Sequence, residues 1–285
     1  MKTILHVIST AMLVCLLVFP CAARAQSNKG VLWVKGSDTM TMMSSAWAEA
    51  FMTIKPDANL AVTGGGSGTG IAALLNGSTD ICNSSRDMSA EEKRKAAESG
   101  ITPVELSVAL DGIAIIVNPA SPLTEITVEQ IAKIYTGEAR DWQDLNAGSG
   151  KILIYSRETS SGTYVFFQEH VLKRMDFTNQ MMLMPASSGI VEGVASDKSA
   201  IGYCGLGHAL SAGTRVKILP VKADANAPAI APTEEAVRSG TYPIARALHC
   251  YTNGQPKGLI KEFLDFCTSD AGQAIVHQQG YVPLK

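Results

Sequence analysis

The sequence predicts two α/β lobes joined by a pair of crossover strands, and three observations carry that reading. Apolar, strand-like runs alternate with helix-patterned stretches from Val31 to Ser99. The alternation breaks between Thr102 and Asn118, where two apolar runs follow one another with no helix between them, and it restarts beyond Pro122. A lone apolar strand, Pro243 to Tyr251, returns just before two closing helices. One sheet does not easily hold both alternations. The runs at Asp111 to Asn118 and Pro243 to Tyr251 are therefore read as crossovers, and a pair of crossovers makes a hinge with a cleft beside it.

Each element has a local warrant. Val31 to Lys35 is a short strand ending in Gly36-Ser37-Asp38-Thr39-Met40, and from Thr41 to Thr53 apolar residues recur at helical spacing until Pro56 closes the segment. Asn59 to Thr63 is a second strand, followed by the glycine-rich turn Gly64 to Gly70 and a helix through Leu75. That turn fits neither a nucleoside-triphosphate loop nor a dinucleotide fingerprint, but it allows a backbone to approach an anion closely. Asp80 to Asn83 is a third strand ending in Ser84-Ser85-Arg86-Asp87, before a charged helix from Ser89 to Ser99. In an open parallel sheet such turns lie at the carboxyl ends of the strands, where ligands bind.

Beyond the break come a helix from Val128 to Tyr135, a strand from Lys151 to Tyr155 and a helix from Tyr164 to Met175. A helix near Gly189 to Ser196 and strands at Ala200 to Cys204 and Arg215 to Leu219 follow. The Ala- and Pro-rich segment Lys222 to Pro232 reads as a surface loop, and Lys257 to Cys267 and Ala271 to Gln278 as helices. The strand-to-helix junction Tyr155 to Tyr164 carries an arginine and several hydroxyls at a helix start, equipment for holding a tetrahedral oxyanion. Arg157 is the expected anion ligand there, the alternative being a surface ion pair with Glu158.

Met1 to Gln26 has a basic residue, an apolar core from Ala11 to Phe19 and Ala23-Arg24-Ala25, which fits a secretory signal over residues 1–25. Val-Phe-Pro-Cys ending at Cys21 is a weak match to a lipoprotein cleavage site, and Pro20 stands where a small residue is expected. Cleavage removes Lys2 and Arg24 and takes the formal net charge from −2 to −4. A mildly acidic surface argues against a nucleic-acid partner, so an anion site must be built locally. Cys82, Cys204, Cys250 and Cys267 form no metal-spaced set; Cys267 reads as a buried small hydrophobe, whereas Cys204 and Cys250 could bridge or stay free. The methionines at 40, 42, 43, 181, 182 and 184 read as packing, and His170, His208, His249 and His277 are scattered without evident partners. No metal or cofactor is expected.

Taken together, Gly36 to Met40, Gly64 to Gly70, Asp80-Ile81 to Ser84-Ser85-Arg86, Asp111-Gly112-Ile113-Ala114, Arg157 to Thr163, Ala200 to Tyr203 and Gly280 to Leu284 resemble the phosphate-binding protein of bacterial phosphate ABC transporters. The resemblance runs in order through nearly the whole chain after the signal. It implies a two-lobed type II periplasmic-binding-protein fold, with residues 26–115 plus 248–285 in one lobe and 116–247 in the other. It also implies a periplasmic monomer, without enzymatic activity, that closes on inorganic phosphate and delivers it to membrane permease subunits. Carried over, it places phosphate ligands at Asp38 or Thr39, Ser67, Ser85, Arg157, Ser161, Gly162 and Thr163. Ser85 falls where some members carry an aspartate that accepts the phosphate proton and repels sulfate. Asp38 and Asp111 are the replacement candidates, Asp111 being equally readable as a structural cap, and Arg86 is a candidate second positive charge.

A buried dianion left uncompensated would cost tens of kcal/mol, while charge-assisted hydrogen bonds return about 1.5 to 3 kcal/mol each. A dozen neutral donors around one arginine can therefore hold it and still release it. Three other readings stay open: a binding protein for sulfate or another oxyanion, a surface-exposed or sensory binding protein with no transport role, and a serine hydrolase. The last is weak because Thr69 stands where the nucleophile elbow around Ser67 needs a glycine.

Overall fold

The computed structural model describes residues 30–284; the expected signal segment, with Cys21 and the Ala25 cleavage point, lies outside the described residues. The first three strands, β1 (Val31–Gly36), β2 (Asn59–Thr63) and β3 (Ile81–Ser84), are parallel in the order β2-β1-β3. Each is followed by a helix: α1 (Thr41–Ile54), α2 (Ser67–Leu75) and α3 (Ala90–Glu98). The helical spacing in α1 buries Met43, Trp47, Ala48 and Phe51 on one face. The polar α3 is fixed at its start by a reciprocal cap, in which the Ser89 hydroxyl accepts from the Glu92 N–H at 3.2 Å and the Glu92 carboxylate accepts from the Ser89 N–H at 2.8 Å.

Then comes β4 (Pro103–Val117), one strand of 15 residues. The two apolar runs expected there are continuous, because Ala109 and Leu110 go on pairing across the join. The second half of the chain adds β5 (Ile126–Thr127), α4 (Val128–Thr136), β6 (Leu153–Arg157), α5 (Gly162–His170), β7 (Met182–Met184), α6 (Ser187–Ser196), β8 (Ala200–Gly205), α7 (Leu206–Ser211) and β9 (Lys217–Leu219). The segment read as a surface loop contains an antiparallel pair, β10 (Val221–Lys222) and β11 (Ala229–Ile230), before α8 (Glu234–Arg238). The chain closes with β12 (Ala245–Asn253), α9 (Gly258–Thr268) and α10 (Asp270–Gln278).

Two further differences have local causes. The helix expected to reach Met175 ends at His170, and Lys173 and Arg174 take left-handed φ values of 53° and 69° just beyond it. The methionine-rich segment at 182–184 is a strand, parallel to β6 at the edge of the sheet, with Met182 and Leu183 half-exposed.

The sheet order β2-β1-β3-β12-β4-β8-β6-β7 puts β12 and β4 side by side in the middle. Their antiparallel register runs from Pro103 opposite Asn253 to Gly112 opposite Ala245. From Ile113 onward β4 leaves β12 and pairs with β8 and β9. One strand thus belongs to the sheet of both lobes, which is the crossover of the two-lobed fold. The apolar cores divide accordingly: Val34, Trp47, Phe51, Leu248 and Phe263 pack in one cluster, and Ile113, Tyr135, Phe167, Tyr203 and Tyr242 in another. Cys82, Cys204, Cys250 and Cys267, the four cysteines among the described residues, are buried and free, so the alternative of a Cys204–Cys250 bridge is not realised. Burial pushes their thiols up, that of Cys250 to about 12, which leaves them as apolar filling.

Candidate functional site

Parallel strands direct their carboxyl ends to one edge of the sheet, and the crossover turns the edges of the two lobes toward each other. Four turns meet there. From the first lobe come the turn Asp38–Met40 after β1, the start of α2 at Ser67 and the end of β3 at Ser85. From the second comes the turn between β6 and α5. Thr39, Ser67, Ser85 and Thr163 are all buried at no more than 1% exposure. The Thr39 and Thr163 hydroxyls lie 2.9 Å apart across the lobes, and the Ser67 and Ser85 hydroxyls 3.3 Å apart. The Ser85 N–H donates to the Ser67 hydroxyl at 3.0 Å, which leaves the Ser67 proton to be given elsewhere. Across the cleft the Gly68 N–H donates to the Ser160 carbonyl at 3.0 Å, so the lobes are in contact.

Glycines make this approach possible. Gly66, at φ 101°, caps α2 where a Cβ would lie 2.5 Å from the Ser160 oxygen. A Cβ on Gly162 would lie 2.2 Å from the Ser67 hydroxyl and 2.7 Å from that of Ser85.

Arg157 ends β6 and is buried, with its charge set against Asp38 rather than Glu158. Its Nη1 lies 3.0 Å from Asp38 Oδ2 and donates to the Ser187 hydroxyl at 2.9 Å, while Nη2 donates to the Pro185 carbonyl at 2.8 Å. Ser187, at the start of α6, gives both its N–H and its hydroxyl to the same Asp38 oxygen, at 2.8 and 2.9 Å. Burial lowers the Arg157 pKa while Asp38 works against that shift, and a guanidinium stays charged through the physiological range. Ser161 caps α5, accepting from the N–H groups of Thr163 at 3.2 Å and Tyr164 at 3.4 Å.

The structure takes two expected residues out of the cluster. Arg86 is not a second positive charge for the cleft: its guanidinium forms a two-pronged pair with Glu92, at 2.7 and 2.8 Å, and steadies the start of α3. Asp111 is fully buried with both oxygens engaged, Oδ1 by the Leu206 N–H at 2.9 Å and Oδ2 by Arg246 at 2.8 and 3.1 Å. It serves as the counter-charge of an arginine, the structural role that the sequence also allowed. The histidines are less isolated than their spacing suggests. His249 lies 3.1 Å from Asp87 through Nε2 and 3.4 Å from Glu105 through Nδ1. These three donors come close enough to suggest a cation site. The carboxylates address opposite ring nitrogens, however, and a single ion can take only one of those nitrogens.

Two residues in this neighbourhood escaped the sequence reading. Arg246 is a lone charge inside the apolar strand β12, and a charge placed there has to find a partner. Ser187 opens a helix after Ala186 with the same hydroxyl-rich signature as the other turns. His208, on α7, has a buried Nε2 with no hydrogen-bond partner. Burial lowers its pKa, with Asp38 and Asp111 opposing. Just below pH 6.5 the unfolded chain therefore takes up a proton that His208 in the folded chain resists. Stability is expected to fall as pH drops through that range, and His208→Gln to flatten that part of a Tm-against-pH curve relative to wild type. Superimposable curves would refute the assignment.

Two α/β lobes that share crossover strands and close on a polar seam define a solute-binding protein. Residues 23–271 match the PBP superfamily domain. Over 260 residues the chain is 35% identical to the phosphate-binding protein PstS of Bacillus subtilis strain 168, covering 91% of this chain and 82% of that protein. It is 29% identical over 278 residues to PstS of Pseudomonas aeruginosa, covering 92% of this chain and 85% of that one. Among solved structures, a substrate-binding protein from Clostridium perfringens with bound phosphate superimposes with a TM-score of 0.81 at 30% identity, covering 90% of this chain and all of that one. An ABC-type phosphate transport receptor from Vibrio cholerae gives a TM-score of 0.71 at 27% identity, covering 88% of this chain and 99% of that one. The chain belongs to the PstS family of phosphate-binding proteins within the PBP superfamily.

Proposed function

We propose that this protein binds inorganic phosphate between its lobes and delivers it to the permease of an ABC transporter. One observation carries the site: hydroxyls from three turns of the first lobe meet the α5 start of the second, beside a buried guanidinium. Thr39, Ser67, Ser85 and Thr163 supply hydroxyls, Gly162 its backbone N–H, Arg157 its charge, and Ser161 and Asp38 hold the turn and the guanidinium in place. The two buried arginines are each matched by an aspartate, so the anion is held by dipoles and by donated protons. A bound oxyanion would replace the hydroxyl-to-hydroxyl contacts with charge-assisted ones, which are stronger.

We place the lobes at 26–115 with 248–285 and at 116–247; the parting of the cores between Ile244 and Leu248 agrees with the second limit, while on β4 the cores part between Ala109 and Ile113, a few residues before the first. Export through a cleaved signal over 1–25, action as a periplasmic monomer and the lack of catalysis follow from the same reading. Among the described residues no helix is long and apolar enough to cross a membrane.

Selectivity over sulfate falls to Asp38. Its contacts with Arg157 and Ser187 all use Oδ2, and Oδ1 is the carboxylate oxygen that can accept the proton of hydrogen phosphate. Sulfate has no proton to offer, and lone pairs facing a carboxylate are repelled. Calorimetric titration with phosphate, sulfate and arsenate tests this. Phosphate and arsenate should bind and sulfate should not, and Asp38→Asn should narrow the phosphate preference by about tenfold or more. Sulfate binding as tight as phosphate in the wild type would overturn the reading in favour of a general oxyanion binder.

A further inference from the structure

We infer that Arg246 is a positioning residue of the anion site, one that fixes the Thr163 hydroxyl as a proton donor and ties both lobes at the closed geometry. The inference rests on the phosphate reading above. Arg246 sits on β12 directly opposite Asp111 of β4, so the ion pair spans the two crossover strands. Its side chain is 2% exposed and that of Asp111 is fully buried. Nε and Nη2 donate to Asp111 Oδ2 at 3.1 and 2.8 Å.

The remaining donors reach both lobes. Nη1 donates to the Ser85 carbonyl at 2.9 Å, and Nη2 to the Thr163 hydroxyl at 3.0 Å. One turn further along α5, the Phe166 ring centroid lies 5.6 Å from the guanidinium carbon. A single planar group thus touches the end of β3, the start of α5 and β4 at once. No other residue type carries five donors in a rigid fork that could do this.

The chemical consequence concerns a proton. A threonine hydroxyl can donate or accept, but a guanidinium can only donate. Once Thr163 Oγ1 accepts from Arg246, its own proton must go elsewhere, and its near neighbour is Thr39 Oγ1 at 2.9 Å. An anion at that point accepts this hydrogen bond without the hydroxyl having to reorient, which favours an acceptor-rich oxyanion over a ligand that brings donors of its own. Arg246 also lines a cavity of about 360 Å3 together with Arg86, Phe166 and His249. The guanidinium therefore stands between that cavity and the hydroxyl cluster, and its loss would open a route for water to Thr163.

The test is a double-mutant cycle on phosphate affinity. Arg246→Lys keeps a positive charge for Asp111 but loses the fork, and is expected to weaken phosphate binding by about tenfold or more. Thr163→Val should cost much in the wild type and little in the Arg246→Lys background, because the hydroxyl is no longer held as a donor. Should Arg246→Lys fold poorly, the pair Arg246→Met with Asp111→Leu removes both charges together and keeps the crossover apolar, and the same cycle is run on it. Small-angle scattering adds a readout of closure: the phosphate-induced decrease in radius of gyration should shrink in either background. Phosphate affinity within twofold of wild type, or a strictly additive cycle, overturns the inference alone. A wild-type protein that binds no phosphate in the same titration overturns the phosphate reading and this inference with it.

Discussion

Arg157→Ala is expected to abolish the thermal stabilisation that phosphate gives the wild type. A ligand that binds only the folded state raises stability by about 2.7 kcal/mol at a hundred times its Kd, an upward shift of a few degrees in Tm for a chain of this size. Arg157 is the buried cation paired with Asp38, and removing it withdraws that positive charge while leaving Asp38 in place with its negative one. The anion would then face a carboxylate whose charge is no longer offset. The unliganded variant should also lose stability, since Asp38 loses its counter-charge and the Pro185 carbonyl its donor, so the informative quantity is the difference in Tm with and without phosphate. Arg157→Lys should recover part of that difference, because an ammonium keeps the charge but cannot reach Asp38, Ser187 and the Pro185 carbonyl together. An unchanged phosphate-dependent shift in Arg157→Ala would refute the placement of the site.

Much of the fold was legible because hydrophobic periodicity and turn chemistry agreed, as in α1, where Pro56 and the burial of Met43, Trp47 and Phe51 tell the same story. The crossover was legible for a different reason: two apolar runs with no helix between them cannot both serve one parallel sheet. That the runs form one strand was not legible, since polar Asp111 interrupts the apolar pattern and only its pairing with Arg246 explains it. For the site, glycine- and hydroxyl-rich turns marked Thr39, Ser67, Ser85 and Thr163 correctly as neighbours in the fold. What periodicity does not encode is where a charge finds its counter-charge. Arg86 found Glu92 six residues on, Asp111 found Arg246 across 135 residues, and Asp38 found Arg157 on the other lobe. These pairings come from tertiary packing, and each changed the role that its residue's neighbours in sequence had suggested.

The same closeness of the lobes makes Gly162 the position where the smallest change should have a disproportionate effect. Gly162→Ala is expected to leave the unliganded protein folded, because alanine is a good helix former at the start of α5. It should nonetheless remove phosphate binding. In the closed arrangement the new Cβ would lie 2.2 Å from the Ser67 hydroxyl and 2.8 Å from the Ser67 Cβ. Rotating the serine side chain relieves the first contact but not the second, since Cβ is fixed to the backbone of α2. The Ser85 hydroxyl, at 2.7 Å, blocks retreat to the other side. The clash can be relieved by keeping the lobes apart, which would separate Thr163 from Thr39 and break the donor set. Scattering should therefore show a variant whose radius of gyration stays at the open value whether or not phosphate is added, with a Tm near that of unliganded wild type. A variant that closes and binds phosphate normally would mean that the anion is held where the lobes do not press together, and the convergence of α2, β3 and α5 would lose its functional meaning.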